Sequence, residues 1–103
     1  MTDPDMKNRH SRLRRCILET LYALFREFPY AQIELRQLQD TCETERKDLN
    51  WNIVYLEKCG YVELSKSDES LPYVATYATI TAAGIDLIED KERLAKKFPL
   101  SGN

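Results

Sequence analysis

Apolar positions recur along this chain first with a helical period, then with a strand period, then with a helical one again. From Arg9 to Phe28 the residues Leu13, Ile17, Leu21, Leu24 and Phe28 fall at spacings of three and four, which predicts a helix. Cys16, Leu18, Tyr22 and Phe25 widen the apolar stripe beyond what one contact face needs. Such a helix is expected to be buried on two sides, and Tyr22 and Phe25 are candidates for a partner-subunit interface. Pro29 ends it, because proline disfavours helical geometry at the preceding residue.

Tyr30 to Glu34 reads as an extended link, with Ile33 forming a brief edge strand. Leu35 to Cys42 is a short helix with Leu35, Leu38 and Cys42 inward, and Glu43-Thr44 is a turn. Thr44 is expected to cap a third helix starting at Glu45, whose carboxylate suits the positive end of the helix dipole. That helix runs to about Cys59, where Gly60 takes the left-handed position that stops it. Tyr61 to Leu64 is a strand and Ser65 to Pro72 a polar loop with Leu71 as its one apolar residue. Tyr73 to Ile80, rich in β-branched and aromatic residues, returns as the second strand. Thr81 caps a fourth helix holding Ile85, Leu87 and Ile88. A charged continuation runs to Lys97, and Phe98-Pro99-Leu100 forms a terminal apolar tag. The domain layout expected is a flexible leader over 1–8, one domain over 9–98 and a flexible tail over 99–103. The fold class is mainly α with a small antiparallel hairpin, an α+β domain.

Two junctions carry a more specific signal. Tyr55-Leu56-Glu57-Lys58-Cys59-Gly60-Tyr61-Val62 resembles the leucine-glutamate-lysine-x-glycine-aromatic-valine passage from recognition helix to wing in winged helix-turn-helix regulators. Ile80-Thr81-Ala82-Ala83-Gly84 resembles the isoleucine-threonine-x-x-glycine passage from wing to last helix in the same proteins. The two occur in the expected order, separated by a hairpin of suitable length, and the resemblance covers about Arg12 to Glu89. More loosely, the chain is similar to small winged-helix proteins of Mu-like prophages. The resemblance implies a DNA-binding transcription regulator of bacterial or phage origin. It also implies that the start of the third helix enters the major groove while the hairpin loop reaches the adjacent backbone.

At about 100° per residue, Leu49, Ile53 and Leu56 share one face of the third helix, with Asn52 beside them, and this is the expected core side. Lys47, Trp51, Val54, Tyr55 and Lys58 lie opposite, with Arg46 and Asn50 on a flank. Arg46, Lys47 and Asn50 suit phosphates or base edges, and Trp51 joins them as a candidate groove reader. Trp51, Val54 and Tyr55 also form a second apolar stripe, which when exposed marks an interaction site. Two readings follow. The first is a DNA-binding regulator working as a dimer on two half-sites. The second is a protein-interaction module that keeps the fold without binding DNA.

Charge changes that picture. The 103 residues carry a formal net charge of −2, with a pI near 5.4, so the general basic character of a strong DNA binder is missing. Residues 1–15 hold Lys7, Arg9, Arg12, Arg14 and Arg15 against Asp3 and Asp5, so attraction to DNA must come largely from this end. Arg12, Arg14 and Arg15, with Lys66 in the hairpin loop, are the candidate phosphate contacts. Asp68 and Glu69 oppose Lys66.

Chemistry is sparse. His10 is the sole histidine, and no Cys-x-x-Cys pair accompanies it, so no zinc site is expected. There is no glycine-rich phosphate loop or nucleophile elbow, and the chain is read as a non-enzyme without cofactor or small-molecule ligand. No apolar run is long enough to span a bilayer, so no membrane partner is expected. Cys16, Cys42 and Cys59 are an odd, scattered set, which predicts reduced thiols in a cytoplasm rather than a disulfide frame.

Overall fold

A computed structural model of the chain describes residues 4–100. It is mainly helical, with a small three-stranded antiparallel sheet, an α+β arrangement. The elements are α1 (Pro4–Glu27), β1 (Ile33–Glu34), α2 (Leu35–Thr41), α3 (Arg46–Lys58), β2 (Val62–Ser65), β3 (Tyr77–Ile80), α4 (Ala82–Glu89) and α5 (Lys91–Lys97). None of the described helices is long and apolar enough to cross a membrane.

The sheet order is β1-β3-β2. Val62 pairs with Ile80, and Leu64 with Ala78, which on its other side faces Ile33. Opposed residues share a face, so these five point toward the helices, while Glu63, Thr79 and Glu34 point away. The core gathers Leu13, Ile17, Leu18 and Leu21 of α1, Leu35 and Leu38 of α2, and Leu49, Ile53 and Leu56 of α3. The expected edge strand at Ile33 and the core side of α3 are as the sequence predicts.

Several boundaries differ, each for a physical reason. The expected leader over 1–8 lies partly outside the described residues; its remainder, 4–8, is helix. Proline is tolerated in the first helical turn, where its missing N–H has no partner to lose. Phe28 leaves the core stripe and stands exposed, because α1 has ended at Glu27. The α3 cap is Glu45 rather than Thr44, and no side chain completes it. The α2–α3 turn is made instead by Glu43 in left-handed geometry, φ 48°.

The returning strand starts at Tyr77 rather than Tyr73. Residues 73–76 turn inward: Val74 N donates to Asn50 Oδ1 (3.0 Å), and Tyr73 Oη donates to Gln39 Oε1. At Asp90 the last helix breaks, and the Asp90 carboxylate caps α5 by accepting from Arg93 N (3.1 Å). Of the terminal tag only Phe98 is core: it is fully buried and meets Tyr55 and Tyr61 edge-on, ring centroids 6.3 and 6.5 Å apart, while Pro99 and Leu100 are exposed. Residues 101–103 of the expected tail lie outside the described residues.

The prediction of reduced thiols is corrected for two of the three cysteines. Cys16 of α1 and Cys42, the C-cap of α2, are disulfide-bonded, their Cα atoms 5.9 Å apart, and Cys59 is the free thiol. Both cysteines sit where α1 crosses the end of α2, a proximity that an odd count of scattered cysteines does not reveal. As predicted, Gly60 takes the left-handed position after α3 (φ 84°), and Thr81 Oγ1 caps α4 by accepting from Gly84 N (3.1 Å).

Candidate nucleic-acid interface

α3 is held to the body by a buried face of Leu49, Asn52, Ile53 and Leu56, so its outer face is presented as a rigid surface. Arg46 and Lys47 stand exposed on its first turn, Trp51 is 57% exposed one turn on, and Lys58 is exposed at its end. Val54 and Tyr55 are half-buried between them. Together with Val74 from the inward-turned segment, these side chains line a shallow groove of about 450 Å³. Its floor is Trp51, Val54, Tyr55 and Val74, and its only charged members among the described residues are Lys47 and Lys58.

Beneath this face lies a polar hub that sequence reasoning missed. Asn52 is fully buried, yet every polar atom of its side chain is used. Its Nδ2 donates to Asp48 O (2.9 Å) and to His10 Nδ1 (2.9 Å), while Oδ1 accepts from Arg14 Nε (2.8 Å). The hub locks α3 against α1. An asparagine at core spacing was the available signal, because a buried amide requires partners.

Arg14 is thereby taken from the phosphate-contact set expected of it. Its guanidinium lies 3.7 Å from the Tyr55 ring centroid and 5.4 Å from that of Trp51. Burial pulls it below the ordinary arginine value, with Tyr55 and Cys59 opposing. Arg15 is also engaged, its Nε donating to Phe98 O (2.8 Å). Arg9 sits 3.8 Å from Asp48, whereas Arg12 is exposed on α1 and Lys66 in the hairpin loop.

Asn50, expected to read bases, holds the hairpin segment instead. Its Nδ2 donates to Pro72 O (3.1 Å) and its Oδ1 accepts from Val74 N (3.0 Å). Leu71 anchors nothing and is 82% exposed. Tyr55 serves the fold in part, packed between Arg14 and Phe98. Tyr22 and Phe25 are half-buried on α1, and Tyr22 Oη donates to Glu89 Oε2 of α4 (2.6 Å), a contact that raises the phenol above its ordinary value. They are therefore not brought to the α3 face. A polar cleft of about 540 Å³ lies between α1 and the α2–α3 turn, where Arg9 and Arg12 meet Glu43, Glu45 and Asp48. Its mixed charges select neither anion nor cation.

His10 packs against Trp51 with ring centroids 4.7 Å apart. Burial lowers its pKa from 6.5, helped by Arg14 and Arg9 and opposed by Asp48. Arg14 fixes the Asn52 oxygen, so an N–H faces His10 Nδ1, which must accept and therefore carry no proton. Folding thus disfavours protonation: stability is complete above pH 6.5 and is lost as pH falls below it, through the depressed folded pKa. Trp51 fluorescence is expected to change with an apparent pKa below 6.5, and His10→Phe to abolish that transition. A titration unchanged in His10→Phe would disprove the coupling.

No protein-family model, curated protein or solved structure matches this chain.

Proposed function

We propose that this chain is a winged helix-turn-helix DNA-binding protein, with α2 and α3 as the helix-turn-helix and the β2–β3 hairpin as the wing. The element order α1-β1-α2-α3-β2-β3 supports this reading. The observation that carries it is the outer face of α3, where Arg46, Lys47 and Lys58 stand exposed on a helix whose other face is wholly buried. A rigid helix with cations along one side suits the major groove, and the phosphates lining it supply the affinity. Arg12 and Lys66 are further phosphate contacts on this reading. Arg14, Arg15 and Asn50 are left out, since internal bonds hold them.

A net charge of −2 makes a single domain a weak binder, so a homodimer on two half-sites is part of the proposal. The role is regulatory and non-catalytic, in the cytoplasm where the DNA lies.

The test is fluorescence anisotropy with duplex DNA at about 50 mM salt, where phosphate contacts are strong. Wild type is expected to bind with an affinity that falls steeply as salt rises. Arg46→Ala/Lys47→Ala is expected to bind more weakly and to flatten the log–log salt slope by about 2, one for each cation removed from a phosphate. Absence of binding at low salt would overturn the proposal. The apolar floor around Trp51, Val54 and Tyr55 favours a second reading, a protein-interaction module with these residues as aromatic anchors. That reading requires no DNA binding at any salt.

A further inference from the structure

We infer that the groove on α3 reads thymine, by packing Trp51 and Val54 against the C5 methyl groups in the major groove of A·T-containing duplex. This rests on the DNA-binding reading and says what the same face would recognise.

Hydrogen-bond readout of bases calls for an arginine or lysine on guanine, an asparagine or glutamine on adenine, or a carboxylate on cytosine. Among the described residues the groove contains no arginine, glutamine or carboxylate. Its one amide, Asn50, spends its oxygen on Val74 N and an amino hydrogen on Pro72 O. The bidentate pairing with adenine needs both of those atoms, so it is closed to Asn50 without releasing the hairpin.

The two lysines stand at the ends. Lys47 and Lys58 are eleven positions apart on α3, about 16 Å at the helical rise. At the two ends of the floor, their long flexible stems can carry the ammonium groups to the phosphates that line the groove. What meets the base edges between them is the apolar floor. The one apolar feature that a base pair displays in the major groove is the thymine methyl. Trp51, more than half exposed, is the side chain most free to cover it.

Deoxyuridine removes that methyl and leaves every hydrogen-bonding group in place. The experiment compares, by anisotropy at low salt, short alternating dA–dT duplexes with the same duplexes carrying deoxyuridine for thymidine. Wild type is expected to bind the uracil duplex about fourfold more weakly per methyl covered, the factor for burying one such group. Trp51→Ala is expected to bind the two duplexes with a smaller difference than wild type, by the methyl that Trp51 covers, while keeping the wild-type salt slope, because every lysine and arginine that meets a phosphate is still present.

Equal wild-type affinity for the two duplexes would overturn thymine reading and leave DNA binding standing. No binding to either would remove both. Discrimination undiminished in Trp51→Ala would also overturn the inference. The wild-type comparison needs no variant, so the test holds even if Trp51→Ala is unstable.

Discussion

Reduction of the Cys16–Cys42 bridge is expected to lower the unfolding free energy by about 3 kcal/mol, as read from urea melts with and without a thiol reductant. The bond closes a loop with a sequence separation of 26, which restricts the unfolded chain. For loops of this order, chain entropy gives roughly 3–4 kcal/mol. In a domain of this size such a loss corresponds to a fall in Tm of more than about 10 °C. The bridge also ties α1 to the residue just before the α2–α3 turn, so opening it loosens the support of α3. Cys16→Ser should melt where reduced wild type melts and should ignore the reductant, since the remaining half-buried Cys59 makes no bridge. A wild-type curve indifferent to reductant would refute the expectation. In a reducing cytoplasm the bridge would be open, so DNA binding should be measured in both states.

Gly84→Ala is expected to destabilise the protein by about 2–3 kcal/mol. Alanine is the better helix former by about 1 kcal/mol, and on an open helix face it would stabilise. Here a Cβ would run into the Tyr61 carbonyl oxygen and lie 2.7 Å from Ile80 Cγ1. A side chain such as Ile80 can rotate, but the Tyr61 oxygen is backbone and accepts from Thr81 N (3.0 Å), so it cannot yield without breaking the hairpin-to-α4 junction. Overpacking of this kind costs about 1–3 kcal/mol, or more where backbone must move. Gly60→Ala is the control: nothing lies within 4 Å of its Cβ, and only the left-handed backbone (φ 84°) opposes it. If Gly84→Ala proved as stable as wild type, α4 would have to sit farther from Tyr61 than described.

The helices were well marked in the sequence because their signals are local. The spacing of Leu13, Ile17 and Leu21, the stop at Gly60 and the cap at Thr81 each depend on residues within a few positions of one another. The outer face of α3 was legible for the same reason, since helical geometry fixes which side chains oppose Leu49, Ile53 and Leu56.

What failed involves partners distant in sequence. Arg14 and Arg15 read as free cations because their acceptors, Asn52 and Phe98 O, lie 38 and 83 residues away. Asn50 read as a base contact because Pro72 and Val74, which occupy it, follow a loop of no fixed local form.

By itself, then, the sequence determined an α+β chain, the order of its elements and which face of each helix is apolar. Periodicity, capping and glycine stops are short-range and need no knowledge of the rest of the fold. Only the tertiary structure decided which polar groups remain available, because a hydrogen bond or disulfide across the chain removes a group from the surface without changing its residue type. It withdrew Arg14, Arg15 and Asn50 into internal bonds and left the apolar stripe already legible on α3 with a lysine at each end.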